Sequence, residues 1–220
     1  YIEVDGMKGY HGAATVSKLP LKRLDTKFCP LGHSRHVSTL VSNKNLSFEF
    51  HNFYIPAGGD IADPKENEKF KHKLDFIENM RTYFSMRYKK MPSPQVLVGD
   101  FNIAPHENDV WNHKQLLKVV SHTPIEVSIL KDLQKAHNFI DCSRALYNDE
   151  DKLFSWWSYR GRNPLESNRG RRLDHIWVSS DLKNAVESSG KQGHIIHTPC
   201  RIWAPKPSDH VPITQILNLS

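Results

Sequence analysis

Short apolar runs separated by turn residues set the pattern of this chain. Ala13–Val16, Val37–Val41, Leu46–Phe50, Gln95–Val98, Leu173–Val178 and His194–His197 are rich in Val, Ile, Leu, Phe or Thr. Runs of this length between turn signals predict short strands. Two stretches carry the helical period instead. Between Pro64 and Met91, the apolar residues Phe70, Leu74, Ile77 and Phe84 fall near one face, with charges elsewhere. Pro64 suits a first helical turn, and Pro92 and Pro94 stop the helix. A second helix is predicted from about Pro124 to His137, with Ile129, Leu130 and Leu133 on its apolar side. Clustered strands with helices set between them predict an α+β or layered α/β fold, a sheet sandwich covered by helices.

Composition narrows the class. The chain has 220 residues, which suits one compact domain spanning residues 1–220, and 38% hydrophobic with 25% charged residues is a globular balance. No run of about 18 apolar residues exists, so no membrane partner is expected. The start at Tyr1 has neither a basic n-region nor an apolar h-region, and the chain is expected to begin inside a longer protein. Cys29, Cys142 and Cys200 are widely spaced, which suggests neither a disulfide framework nor a structural zinc site and fits a cytoplasmic location. The formal net charge of +6 makes an anionic partner plausible, with nucleic acid first.

Five runs carry candidate chemistry. Gln95–Asn102 ends a buried strand in Gly99-Asp100-Phe101-Asn102. Alternation puts Asp100 and Asn102 on one side of an extended chain. A carboxylate there can accept a proton from water or ligate Mg²⁺, and an amide can orient that acid or hold a phosphate oxygen. A strand end with an Asn cap would read the same way. Ser208-Asp209-His210-Val211-Pro212 offers a metal ligand, a general base or a cation for transition-state charge, or merely a turn with a surface His. Asp209 and His210 diverge on an extended chain, so one faces a metal and the other a phosphate. Asn168–Val178 places Arg169, Gly170, Arg171 and Arg172 before a strand opening with Asp174. Arginine grips phosphate bidentately, and a carboxylate at a strand start can orient a histidine. The alternative is a basic loop ion-paired to Asp174. Asn52–Gly59 ends a strand in Tyr54, whose hydroxyl could reach a phosphate or whose ring could cap a core. Phe154–Arg160 sets Trp156, Trp157 and Tyr159 beside an arginine, suited to base stacking or to a core strand.

Taken together, these runs resemble exonuclease III and its relatives among the endonuclease/exonuclease/phosphatase proteins. The resemblance runs from Gly9-Tyr10-His11-Gly12-Ala13-Ala14 through Gly99–Asn102, Phe154–Arg160 and Asn168–Asp174 to Ser208–Pro212. It implies a DNase I-like four-layer sandwich, two mixed β-sheets flanked by helices. It implies Mg²⁺ (or Mn²⁺) as cofactor and double-stranded DNA as partner, with 3′-5′ exonuclease and abasic-site endonuclease activity in a bacterial cytoplasm. By the same resemblance, Asp100 activates water and Asn102 helps hold that acid and the phosphate; His210 stabilises charge with Asp174 as its partner; Tyr54 contacts the scissile phosphate. Asp209, with Asp100, Asn102 and His210, forms the metal site. Trp156 lines a sugar pocket, and Arg35, Arg169, Arg171 and Tyr159 contact DNA. No obligate protein partner is implied.

One departure is large. The family carries two earlier strands, with an Asn in a T/S-W-N motif and a metal-binding Glu in a Q-E motif. Neither motif occurs here, and Glu3 stands in a different context. Those strands lie inside a sheet, so exposed strand edges and a marginal fold are expected without them. Two other functions stay open: a same-fold phosphodiesterase or phosphatase for lipid or inositol phosphates, and a non-catalytic DNA-binding fragment.

Overall fold

The structure is a computed structural model that describes residues 1–9, 11–44, 47–90, 93–160, 164–197 and 208–219, with the backbone alone at 88–90 and 164–165. Tyr10, Leu46, Met91, Pro92, Cys200, Lys206 and Pro207 lie outside the described residues. In chain order the elements are β1 (Ile2–Gly6), β2 (Gly12–Val16), β3 (Leu21–Arg23), β4 (His36–Ser42), β5 (Ser47–Tyr54), α1 (Glu68–Lys90) and β6 (Gln95–Asp100). They continue with α2 (His113–Leu116), α3 (Pro124–Ala136), β7 (Ile140–Asp141), α4 (Cys142–Leu146), β8 (Trp156–Trp157), α5 (Pro164–Ser167), β9 (Gly170–Arg171), β10 (Asp174–Val178), α6 (Lys183–Glu187), β11 (His194–Ile196) and β12 (Ile213–Gln215).

Six strands form one mixed sheet in the order β3-β4-β5-β6-β10-β7. Among the described residues only β5 and β6 pair in parallel, and α1 is the crossover between them. That connection lays a helix over one face of the sheet centre. On one face, α1 and α3 pack over Phe53, Leu97, Phe101 and Trp177, with Phe76, Ile77, Met80 and Phe84 from α1 and Leu130 and Leu133 from α3. Each fully buried phenylalanine there contributes about 2 kcal/mol of apolar transfer. On the opposite face, Val96, Ile176 and Val178 meet Cys142, Leu182 and Val186. The α+β class and the flanking helices are as expected. Among the described residues only one of the two expected mixed sheets is built; on the second face, β11 and β12 form a two-stranded antiparallel ladder.

Several boundaries differ for physical reasons. β5 runs to Tyr54, past the predicted Phe50, because Phe53 alternates inward with His51 and Glu49 while the ladder to β6 continues to Asp100. Helix α1 starts at Glu68, not near Pro64; Pro64 lies in the preceding turn, and Asn67 Oδ1 caps the helix by accepting the Lys69 N–H at 3.0 Å. Its core face is Phe70, Lys73, Phe76, Ile77, Met80 and Phe84, leaving Leu74 half-buried. Helix α3 begins as predicted, with Pro124 in its first turn and a capping box between Thr123 and Glu126.

Candidate active site

Three strand ends meet in a row across the sheet. Tyr54 at the end of β5 pairs with Asp100 at the end of β6, and Asp100 pairs with Asp174 at the start of β10. Gly99 makes this convergence possible. Its φ is +122°, and a Cβ there would stand 2.1 Å from the Phe53 carbonyl oxygen, so β5 and β6 approach closely only with glycine at this position. Two carboxylates facing each other in neighbouring register repel. The Asp100 pKa is pushed up to about 7, first by burial and then by the charge on Asp174.

Asp100 and Asn102 come together, but by a turn and not by extended alternation. Asn102 adopts a left-handed φ of 54°. From there its backbone N–H donates to Asp100 Oδ1 at 2.8 Å, and its side-chain amide donates to Asp100 Oδ2 and to the Ile55 carbonyl, both at 2.9 Å. The turn is held from below. Lys73 Nζ donates to the Asn102 carbonyl at 2.8 Å and to Glu126 Oε1 at 2.5 Å, and both side chains are fully buried.

Asp174 and His210 form the second half. His210 Nδ1 lies 2.8 Å from Asp174 Oδ2, and its Nε2 faces Asp100 Oδ2 at 3.9 Å. Ser155 fixes the acid: its hydroxyl donates to Asp174 Oδ2 at 2.6 Å while accepting the N–H groups of Leu173 and Asp174, each at 3.0 Å. Burial alone would lower the His210 pKa, but the hydrogen bond and charge of Asp174, with the charges of Asp100 and Asp209, raise it to about 9. The site therefore pairs a carboxyl poised near neutrality with an imidazolium, an arrangement suited to proton abstraction beside a phosphate.

Asp100, Asp174 and His210 each offer a ligand atom within 4.8 Å of the others. Two opposed carboxylates suit a hard divalent ion such as Mg²⁺, which takes one or two protein carboxylates and fills its shell with water and phosphate oxygens. The donor set thus fits the expected cofactor through Asp100 and Asp174. Asp209 is not brought into this cluster. Its Oδ2 accepts the Trp156 indole N–H at 2.9 Å, because neighbouring side chains diverge and His210 takes the inward direction. Asn102 turns its amide to Asp100 and Ile55, so its nearest service is to the acid.

The expected DNA contacts spread around this centre. Arg171 lies over the Trp156 ring at 5.3 Å, yet its guanidinium also donates to the Val120 carbonyl and the Ser121 hydroxyl. Arg169 is exposed and lies over Trp111 at 4.7 Å. Tyr159 is 56% exposed. Arg35, by contrast, is buried, lies over Tyr54 at 5.1 Å and donates to the Tyr54 carbonyl, which makes it a support for Tyr54.

Ser155, Lys73 and Arg172 escape the sequence reading. Arg172 lies in the same basic run as Arg169 and Arg171 but points inward, fully buried, pairing bidentately with both Asp109 and Asp141. The signal available for Ser155 was only its position inside the aromatic run.

Comparison with known proteins shows the family and the fold. The profile described as the Endonuclease/Exonuclease/phosphatase family matches residues 3–210. An exodeoxyribonuclease III of Haemophilus influenzae is 29% identical over 217 residues, covering 94% of this chain and 77% of that protein. An AP endonuclease from Archaeoglobus fulgidus superposes with a TM-score of 0.80 at 23% identity, covering 100% of this chain and 79% of that one. The 3′ phosphatase NExo from Neisseria, solved bound to a product DNA hairpin, superposes with a TM-score of 0.79 at 24% identity, covering 99% and 79%.

Proposed function

Because the chain belongs to the Endonuclease/Exonuclease/phosphatase family, we propose that its site hydrolyses phosphodiester bonds of double-stranded DNA, as an abasic-site endonuclease and 3′-5′ exonuclease. The protein is a hydrolase of the nuclease type. The observation that carries the finer reading is the opposed pair of clamped acids: Asp100 held by Asn102, and Asp174 held by Ser155 with His210 between them.

Each residue has a role that its contacts support. Asp100, ionised, takes the proton of the attacking water. Asn102 fixes the acid's orientation through two hydrogen bonds. His210, protonated and oriented by Asp174, neutralises charge developing on the scissile phosphate oxygens. Tyr54 donates its hydroxyl to a phosphate oxygen. Mg²⁺ held by Asp100 and Asp174 would supply Lewis-acid stabilisation of the phosphate. Trp156, braced by Asp209 and covered by Arg171, presents an aromatic face for a sugar or base. Arg169 and Tyr159 are exposed and would contact a phosphate backbone, and the net charge of +6 favours a polyanion.

The test sets substrates against each other. A duplex with one abasic site, a duplex with a recessed 3′ end and a soluble inositol phosphate are offered to the protein with Mg²⁺ and with EDTA. Metal-dependent incision at the abasic site and 3′ trimming support the reading. Turnover of the inositol phosphate with both duplexes intact overturns it.

A further inference from the structure

A second group of metal-type donors stands apart from the carboxylates. The segment between β3 and β4 turns tightly at Cys29-Pro30-Leu31-Gly32-His33. Gly32 has φ +68° and donates its N–H to the Cys29 carbonyl at 3.1 Å, which brings Cys29 and His33 side by side. His72, in the first turns of α1, presents its Nε2 3.1 Å from Cys29 Sγ. One ligand atom from each of the three lies within 4.8 Å of the others. The rings of His33 and His72 meet edge to face with centroids 5.3 Å apart. His33 Nδ1 is buried and has no hydrogen-bond partner among the described residues. A cavity of about 130 Å³ adjoins the group and is lined by Cys29, Gly32 and His33, with Asp5 among its walls.

We propose that Cys29, His33 and His72 form a binding site for a borderline-soft divalent cation of the zinc class, with water as the fourth ligand. The chemistry of the donors decides the class. One thiolate and two imidazoles suit Zn²⁺ or Co²⁺ and discriminate against Mg²⁺, which takes oxygen ligands. The geometry is near what such an ion needs. With Zn–S of about 2.3 Å and Zn–N of about 2.0 Å, a tetrahedral angle sets S and N about 3.5 Å apart, so Cys29 and His72 need to open by only a few tenths of an ångström.

The site has a structural consequence. It fastens an irregular loop to α1 at a point leading directly into Arg35, which lies over Tyr54 and donates to its carbonyl. An ion there clips in place the strand end that supplies the phosphate-facing tyrosine. It is separate from the Asp100–Asp174 pair in both residues and donor type.

The experiment titrates the metal-stripped protein with Co²⁺ and follows absorbance. A thiolate-to-cobalt charge-transfer band at one ion per chain is expected. The band should vanish in Cys29→Ser, persist in Asp100→Asn and Cys142→Ala, and be displaced by Zn²⁺. His33→Ala, at a turn and away from the main core, should weaken Zn²⁺ binding at least about tenfold, measured against a competing chelator. Zn²⁺ should also raise the melting temperature of the wild type but not of Cys29→Ser, with far-UV spectra verifying that each variant is folded. A folded wild type with no charge-transfer band, or a band that survives Cys29→Ser, overturns the proposal.

Discussion

His210 Nδ1 and Asp174 Oδ2 lie 2.8 Å apart, and this contact sets the charge state of the site. The histidine's folded pKa of about 9 exceeds its unfolded value of 6.5. By linkage its stabilising contribution is complete below about pH 6.5 and is lost as pH rises through about 9. In EDTA, NMR titration of the His210 ring should give a midpoint near 9, and Asp174→Asn should bring it down toward the ordinary histidine range. The same variant should lower kcat by roughly 10²-fold or more, as removal of a preorganised charge-stabilising group does. An unchanged midpoint would separate His210 from Asp174.

Ser155 is the clamp beneath that pair. Ser155→Ala removes one hydrogen bond to Asp174 and leaves two backbone N–H groups without their acceptor. A loss of about 1–3 kcal/mol is expected in urea unfolding, with a fall in kcat exceeding any rise in KM. A variant with wild-type stability and rate would show that β10 holds Asp174 unaided.

Acid sensitivity should trace to the buried Arg172. Asp109 and Asp141 are each pushed toward higher pKa by burial but are held below the ordinary carboxylate range by Arg172. Depressed carboxylates stabilise the fold above their unfolded pKa, near 3.8, and the contribution disappears as pH falls through the folded values. Stability measured by denaturant should fall as pH drops below about 4 in the wild type. Arg172→Met leaves the buried Asp141 without its arginine and Asp109 with Arg144 alone, and should cost about 3–5 kcal/mol at neutral pH. In that variant stability should rise on mild acidification, the opposite slope.

Trp156 tests the nucleic-acid face. Its indole is braced by Asp209 and its ring lies under Arg171. Trp156→Ala should weaken duplex binding by about 1–3 kcal/mol, and Asp209→Asn by less. Fluorescence anisotropy at two salt concentrations measures both. Equal affinities for the three proteins would remove Trp156 from the interface.

How far the sequence foretold this can be judged from particular residues. Asp100 and Asn102 were legible because a β-rich apolar run ends in Gly-Asp, although the left-handed turn at Asn102 that joins them was not. Lys73 and Arg172 were hidden because patterns assign charge to the surface, whereas each is buried against an opposite charge: Lys73 against Glu126, and Arg172 against Asp109 and Asp141. Arg35 read as a phosphate contact and proved to be a support for Tyr54. The two-residue strands β7, β8 and β9 carry too few residues for any period to register. Cys29 and His72 lie far apart in sequence, so only the fold could bring them together.

The most direct test of the central claim is single-turnover cleavage of an end-labelled duplex carrying one abasic site, by wild type and Asp100→Asn, in Mg²⁺ and in EDTA. The account predicts incision at the abasic site by the wild type in Mg²⁺, none in EDTA, and a rate in Asp100→Asn reduced by at least roughly 10²-fold while duplex binding is retained. Cleavage by Asp100→Asn at the wild-type rate, or duplex bound and left intact by the wild type in Mg²⁺, would contradict it.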